Sequence, residues 1–134
     1  LVGTDDNIDD LLPKDILSIH RTQNQHQLAE LYTLADVFLI PTREENYPTV
    51  NLESLACGTP VVTFRTGGSP EMLDDKTGIV VDANDIEATV KAIQDICEKK
   101  RCNDEEYIVA YSKKFDMQKK FAEYIELYAN VLEE

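Results

Sequence analysis

Three short apolar runs, separated by stretches with helical periodicity, restrict the possible folds of this chain more than any other feature. The runs are Val37–Ile40, Val61–Phe64 and Ile79–Val81. Each is of strand length and largely apolar, which is typical of strands that are buried on both faces of a sheet. Because helical stretches connect successive runs, the strands are expected to pair in parallel. The sequence therefore predicts an α/β fold, with a parallel sheet and helices on both of its faces.

Weaker patterns place the remaining elements. A helix is predicted at Gln25–Leu34, where Leu28, Leu31 and Tyr32 share one face, and a solvated helix start is predicted at residues 5–10. The other predicted helices are Pro48–Ala56, Asp85–Lys99, Asp104–Lys113 and Met117–Leu132, with a short one at Pro70–Leu73. Ile16–Ile19 is predicted as a fourth strand and Leu1–Gly3 as the end of a fifth, so the core is expected to contain four or five strands.

Length and charge limit the class of protein. The chain has 134 residues, which is enough for one hydrophobic core and too few for two, so residues 1–134 are expected to form a single domain. The formal net charge of −13 argues against a nucleic-acid partner, because nucleic-acid binders present basic surfaces. No apolar run approaches the roughly 20 residues of a membrane span, so direct membrane insertion is not expected.

The potential metal ligands do not form a recognised motif. The cysteines Cys57, Cys97 and Cys102 are odd in number and irregularly spaced, which favours reduced thiols over a disulfide framework or a zinc site. The acidic residues that begin at position 5 alternate like those of a calcium loop. Asp10 replaces the turn glycine of that motif, however, and Ile16 replaces its closing glutamate. We therefore expect no metal site.

The richest functional pattern lies between the first apolar run and the helix that follows it. Pro48 suits the first helical turn, so the N–H groups of residues 49–51 are expected to be free and to face the strand ends. Free amides and the positive end of the helix dipole together bind phosphate. Glu45 and Glu53 flank this position, and carboxylates accept hydrogen bonds from sugar hydroxyls. The pattern indicates a ligand that carries both phosphate and sugar.

Simpler interpretations of these residues remain open at this level. Acidic side chains near a helix N-terminus stabilise the helix by about 0.3–1 kcal/mol without any ligand. Gly67 and Gly68 can equally form an ordinary turn. The chain has neither a G-x-G-x-x-G sequence nor a Walker lysine loop, which argues against a dinucleotide-binding fold or an ATPase.

Longer segments give the chain a family resemblance. The segments Ala35–Thr42, Glu45–Pro48, Leu52–Val62, Gly67–Glu71 and Thr77–Val81 match, in order and spacing, the retaining GT-B glycosyltransferases of the large group 1 or family 4 type. That family includes bacterial polysaccharide transferases, sucrose synthase and phosphatidylinositol mannosyltransferases. The resemblance covers nearly the whole chain and implies the Rossmann-like C-terminal half of a GT-B fold, which binds the nucleotide sugar.

The resemblance also implies roles for individual residues. Glu45 and Glu53, separated by seven residues, match the E-x7-E motif of the family. By this match Glu53 binds the ribose hydroxyls, and Glu45 is the catalytic residue that contacts the donor sugar. The complete implied donor-binding set is Glu45, Asn46, Tyr47, Pro48, Thr49, Val50 and Glu53. The loop His20, Arg21 and Thr22 is implied to contact the base, although a plain surface position is equally compatible with His20.

The chain departs from the family pattern in three respects. Pro48 stands where the family usually has glycine, and Tyr47 stands where it usually has phenylalanine. The basic arginine and lysine pair that neutralises the diphosphate in the family precedes the position of Leu1. We therefore expect a donor-binding domain that is truncated at its N-terminal edge and lacks the acceptor domain. Such a chain is expected to be inactive alone, because the leaving diphosphate lacks its main charge stabilisation.

The resulting functional hypothesis is a retaining hexosyltransferase of polysaccharide or glycan biosynthesis. A nucleotide diphosphate sugar is the donor substrate, a saccharide or lipid-linked molecule is the acceptor, and no cofactor is expected. The expected location is cytoplasmic, with peripheral attachment at the inner face of the membrane left open for the full-length enzyme. Two alternatives remain, a nucleotide-sugar epimerase of the same fold and a non-catalytic α/β interaction module.

Overall fold

A computed structural model describes residues 1–132, and within this range it contains a three-stranded sheet and six α-helices. The strands are β1 (Phe38–Ile40), β2 (Val61–Phe64) and β3 (Gly78–Val81). The helices are α1 (Asp6–Asp9), α2 (Gln25–Leu34), α3 (Thr49–Ala56), α4 (Ile86–Cys97), α5 (Glu105–Ser112) and α6 (Met117–Leu132). Short 3-10 helices at Ser69–Met72 and Lys113–Phe115 complete the described elements. The alternation of strands and helices confirms the predicted α/β class.

The sheet is parallel throughout, in the order β1-β2-β3. Phe38 pairs with Val61 across β1 and β2, and Val61 pairs with Gly78 across β2 and β3. All four residues of the central strand β2 are buried, as its apolar sequence predicts. The carboxyl ends of the three strands therefore lie at one edge of the sheet, where α/β proteins place their ligands.

Two apolar clusters show that helices cover both faces of the sheet. On one face, Val62 and Phe64 of β2 pack in a cluster with Ala92 and Ile96 of α4. On the other face, Val61 packs in a cluster with Leu55 of α3 and with Ile108 and Tyr111 of α5. Neighbouring residues of a strand point to opposite faces, so β2 contributes to both clusters. This arrangement confirms the two-sided packing that the sequence predicts.

The N-terminal region departs from the prediction. Ile16–Ile19 does not form a strand of the sheet, and within the described residues its one β-bridge is the parallel bridge between Val2 and Ile19. The N–H of Gly3 donates to the carbonyl of Ile19, the N–H of Ile19 donates to the carbonyl of Leu1, and the amino group of Leu1 donates to the carbonyl of Leu17. Leu17 is 83% exposed because no helix covers it. The described sheet therefore has three strands, and the expected four or five are wrong.

The first strand is also less buried than its sequence suggests. Leu39 is 39% exposed and its neighbours Phe38 and Ile40 are half-buried, so the expected burial of this strand on both faces is wrong. The physical reason is that β1 lies at the edge of the described sheet. Elsewhere the predicted helices form within a few residues of their expected bounds, and the segment predicted at Pro70–Leu73 is the 3-10 helix Ser69–Met72.

The last helix has a different environment from the others. None of the residues of α6 is buried, and Phe121, Ile125 and Tyr128 are between 58% and 70% exposed. Within the described residues, no helix has both the length and the apolar character that crossing a membrane requires.

Candidate functional site

Two loops meet at the carboxyl edge of the sheet. Residues 41–48 connect β1 to α3, and residues 65–68 follow β2. The N–H of Gly68 donates to the carbonyl of Asn46 at 2.6 Å, and the hydroxyl of Thr66 donates to the carbonyl of Thr42 at 3.0 Å. These hydrogen bonds fix the first loop, which carries Glu45, against the end of the central strand.

The close approach of these loops explains why two glycines follow β2. Gly67 has φ +50°, and a Cβ there would overlap the backbone carbonyl of Glu45. A Cβ at Gly68 would lie 2.7 Å from Cδ2 of Tyr47 and 2.9 Å from the carbonyl oxygen of Asn46. Glycine is required at position 67 for two reasons, because the backbone is left-handed and because the neighbouring loop leaves no space for a side chain. The pair is a docking surface for the Glu45 loop as well as a turn.

The N-terminus of α3 differs from the other helix starts. Pro48 is its N-cap residue, and no side chain caps the helix. Within residues 1–132, each of the other α-helices has an aspartate or asparagine that accepts a hydrogen bond from an amide of its first turn. These capping residues are Asp5, Asn24, Asp85, Asp104 and Asp116. Helix α3 thus leaves amide donors unpaired at the edge where the strands end.

The unpaired amides are two in number. Within the described residues, the N–H groups of Thr49 and Val50 have no acceptor. The N–H of Asn51 donates to the carbonyl of Pro48 at 3.0 Å, so the expectation of a third free amide there is wrong. The tight first turn that Pro48 begins is the reason. Thr49 is exposed and Val50 is half-buried, so an anion can reach this helix end.

The two carboxylates of the E-x7-E motif lie in different environments. Glu45 is half-buried, and its Oε1 accepts a hydrogen bond from the N–H of Asn46 at 3.2 Å. Glu53 is exposed on α3, and its Oε2 accepts a hydrogen bond from the hydroxyl of Tyr32 at 3.3 Å. Burial and the nearby Glu53 charge raise the pKa of Tyr32, so its hydroxyl stays protonated and remains a donor.

A shallow depression of about 320 Å³ opens beside Glu53, between α2 and α3. Leu28, Ala29 and the Tyr32 ring form its mostly apolar wall, and Gln25 and Glu53 supply polar groups. An apolar surface next to a carboxylate suits a nucleoside, because the base has two apolar faces and the ribose has hydroxyl donors. The depression therefore extends the site from the α3 N-terminus towards α2.

The implied base loop lies immediately before α2. Thr22 is half-buried, whereas His20 and Arg21 are exposed. Nε2 of His20 is 2.7 Å from Oδ2 of Asp9, and this hydrogen bond raises the pKa of the imidazole. Hydrogen bonds from Ser18 and His20 lower the pKa of Asp9. The structure gives no contact between this loop and Glu45 or Glu53, so a role in base binding stays a prediction.

The cluster around His20 has the character of an ion pair. The potential ligand atoms of Asp6, Asp9 and His20 all lie within 4.8 Å of one another. The raised pKa of His20 favours its protonated form, which donates to these carboxylates.

The cysteines lie outside these loops, although Cys57 also lines the depression beside Glu53. They line a cavity of about 190 Å³ near the amino ends of the strands, together with Asp36 and Pro60. Cys57, Cys97 and Cys102 are all free thiols, and burial raises the pKa of Cys57 and Cys102. A high thiol pKa disfavours the reactive thiolate. Cys57 and Cys102 are therefore unfavourable nucleophiles.

The structure adds residues that sequence analysis does not assign to the site. Tyr32 and Gln25 join Glu53 at the depression, although Tyr32 is predicted only as part of the apolar face of α2. A tyrosine near the end of an amphipathic helix is compatible with core packing alone. The contact between Gly67 and Glu45 also joins residues that are distant in sequence, and a glycine pair by itself indicates only a turn.

Most of the chain matches a family of known proteins. Residues 4–115 match the family model described as "Glycosyl transferases group 1". A GDP-mannose-dependent alpha-(1-6)-phosphatidylinositol monomannoside mannosyltransferase of Mycolicibacterium smegmatis is 44% identical over 78 residues, covering 52% of this chain and 20% of the relative. A D-inositol 3-phosphate glycosyltransferase of Corynebacterium kroppenstedtii is 43% identical over 72 residues, covering 53% of this chain and 16% of the relative.

A solved structure supports the fold independently. Sucrose-phosphate synthase from Thermosynechococcus elongatus superposes with a TM-score of 0.80 at 24% sequence identity, covering 98% of this chain and 37% of that protein. The chain spans a fifth or less of the length of these two curated relatives. The likeness confirms the GT-B type of α/β fold that the motifs imply. Because the family model covers most of the chain, this protein belongs to the group 1 glycosyltransferases.

Proposed function

We propose that this chain is the donor-binding part of a retaining hexosyltransferase and binds a nucleotide diphosphate sugar at the N-terminus of α3. The observation that carries the proposal is the uncapped start of α3, where Thr49 and Val50 keep free amides between Glu45 and Glu53. Family membership supports glycosyl transfer as the reaction. The GDP-mannose dependence of the mycobacterial relative supports a nucleotide sugar as the donor.

The diphosphate group fits the electrostatics of the α3 N-terminus. The two free amides donate hydrogen bonds to an anion, and the positive end of the helix dipole attracts it. The two free amides lie on one side of this anion, and the Asn46–Pro48 segment of the loop forms its approach. During transfer, charge builds up on the leaving diphosphate, and donors that are already in place stabilise it. In this proposal no metal and no cofactor take part, and the nucleotide sugar is a substrate.

The two carboxylates divide the sugar recognition. Glu53 lines the depression and accepts hydrogen bonds from the ribose hydroxyls there. The loop of His20, Arg21 and Thr22 contacts the base. Glu45 lies on the loop before Pro48 and receives the hydroxyls of the donor hexose. Glu45 is thus the catalytic residue of the chain, since it contacts the group that is transferred. The acceptor, a saccharide or lipid-linked molecule of glycan biosynthesis, binds outside this chain.

The cysteines and the net charge of the chain support a cytoplasmic enzyme without a nucleic-acid partner. The three cysteines are free thiols, which persist in a reducing compartment. The net charge of −13 repels nucleic acid and anionic lipid headgroups. Attachment to a membrane surface, if the full-length enzyme has it, then depends on parts of the protein other than this chain.

Titration calorimetry with UDP, GDP and ADP tests the proposal. We expect the chain to bind one of them with a dissociation constant in the high micromolar to millimolar range, roughly −4 to −6 kcal/mol. Glu53→Gln should weaken that binding by about 1.5–3 kcal/mol, the value of a hydrogen bond to a charged group. The melting temperature should change little, because Glu53 is exposed.

Glu87→Gln is the matched control, since Glu87 is an exposed glutamate in the first turn of α4, and α4 packs on the opposite face of the sheet from α3. It should leave the affinity unchanged. Absence of binding by all three nucleoside diphosphates would contradict the proposal and favour a non-catalytic module. Conversion of a free nucleotide sugar into its epimer, without any acceptor, would favour an epimerase.

A further inference from the structure

The residue that holds Glu53 in place is unusually well fixed. Tyr32 is 8% exposed, and its ring packs edge-on against Phe38 with centroids 5.3 Å apart and an interplanar angle of 83°. Its backbone carbonyl accepts a hydrogen bond from the hydroxyl of Thr59 at 2.6 Å. Tyr32, which belongs to α2, therefore also contacts the first strand and the segment after α3. These contacts fix the position of its ring and hence of its hydroxyl.

Glu53 itself has no comparable restraint. It is exposed, and within the described residues the hydroxyl of Tyr32 is its one side-chain hydrogen-bond partner. A free glutamate side chain loses up to about 1.5–2 kcal/mol of rotamer entropy when a ligand immobilises it. A donor that is already fixed reduces this loss and directs one carboxylate oxygen. Glu53 lines the depression together with Leu28 and Ala29, so its second oxygen remains available to a ligand there.

We infer that Tyr32 is a positioning residue that fixes the carboxylate of Glu53 for the ribose diol and thereby determines a preference for ribonucleotides over deoxyribonucleotides. This inference rests on the proposed function, because it needs a nucleoside at the depression. The hydroxyl of Tyr32 acts only through Glu53 and does not contact the reacting atoms. Its hydrogen bond at 3.3 Å joins a buried ring to an exposed carboxylate, and both residues line the depression.

The test compares two ligands and two tyrosines by titration calorimetry. The ligands are the nucleoside diphosphate that binds best among UDP, GDP and ADP, and its 2′,3′-dideoxy form. Tyr32→Phe should weaken ribonucleotide binding about threefold to tenfold and leave dideoxynucleotide binding unchanged. The control is Tyr107→Phe, which removes a similar hydrogen bond from a tyrosine hydroxyl to a carboxylate, that of Asp74 at 2.7 Å. It should change neither affinity.

A second variant keeps the test independent of any packing defect. Glu53→Asp retains the carboxylate but shortens the side chain by one methylene, which takes it out of reach of the Tyr32 hydroxyl. In that background Tyr32→Phe should have no additional effect on ribonucleotide binding. A crystal structure of Tyr32→Phe should show the Glu53 carboxylate in a different rotamer.

The possible failures are distinguishable. Unchanged ribonucleotide affinity in Tyr32→Phe, or an equal loss for both ligands, would overturn the positioning role while leaving the donor site in place. An unchanged Glu53 rotamer together with additive effects of the two substitutions would overturn it as well. If the wild-type chain binds none of the three nucleoside diphosphates, the proposed function itself fails and this inference fails with it.

Discussion

Replacement of Gly67 by alanine should destabilise the chain more than any replacement of a turn glycine with free space around it. Two costs combine at this position. The backbone has φ +50°, and a left-handed conformation costs a residue with a Cβ about 1–2 kcal/mol. The new methyl group would also overlap the carbonyl of Glu45, and relieving such overpacking costs about 1–3 kcal/mol. The expected total is about 2–5 kcal/mol.

Gly58→Ala separates these two contributions. Gly58 has φ +82°, and the nearest atoms to an added Cβ are at 3.5 and 3.6 Å, which is ordinary contact. This variant should show the backbone cost of about 1–2 kcal/mol and little else. The difference between the two variants, about 1–3 kcal/mol, therefore measures the close approach of Gly67 to the Glu45 loop.

Urea denaturation followed by circular dichroism at 222 nm gives both free energies of unfolding. The slope of the transition should be the same for wild type and both variants, so that the midpoints alone report the stability change. An equal loss of unfolding free energy in Gly67→Ala and Gly58→Ala would contradict the close contact between Gly67 and the Glu45 loop. That result would mean that the Glu45 loop moves aside freely and that the glycine pair does not hold it.

Three other predictions concern the site and its surroundings. Glu45→Ala should reduce affinity for a nucleotide sugar but not for the bare nucleoside diphosphate in titration calorimetry, and equal losses would contradict its contact with the hexose. The raised pKa of His20 means that its pairing with Asp9 stabilises the fold below about pH 6.5 and is lost as the pH rises through the folded-state pKa. Asp9→Asn should therefore lower the imidazole midpoint in an NMR titration, and an unchanged midpoint would contradict the pairing. The chain alone should transfer no hexose from a panel of nucleotide sugars to saccharide acceptors, and turnover would show that the catalytic groups are misplaced.

The elements of the sheet are predictable because their determinants are local. Val61–Phe64 is rich in β-branched residues and follows Pro60, which predicts a strand locally, and its central position in the sheet then buries it on both faces. Ile16–Ile19 has a similar composition, but within the described residues it makes only one β-bridge, to Val2. Strand formation there is a tertiary property, so the local pattern alone overestimates it.

The site likewise combines features that depend on local sequence with features that depend on tertiary packing. Pro48 and the two motif glutamates are visible in the sequence because their spacing along one loop and helix sets their geometry. The hydrogen bond between Tyr32 and Glu53 joins residues 21 positions apart on different helices, and no local pattern encodes it. The contact of Gly67 with Glu45 is likewise a product of the fold. Packing, and not spacing, determines which polar groups become partners.

Binding of a nucleoside diphosphate at the N-terminus of α3 can be observed residue by residue in a ¹⁵N–¹H NMR titration of the chain. With the nucleoside diphosphate that binds best, we expect the largest amide shifts at Thr49 and Val50, where the N–H groups are free. Inorganic sulfate should shift the same two amides more weakly. Largest shifts at a capped helix start, such as the one at Asp85, or around the cysteine-lined cavity would contradict the account.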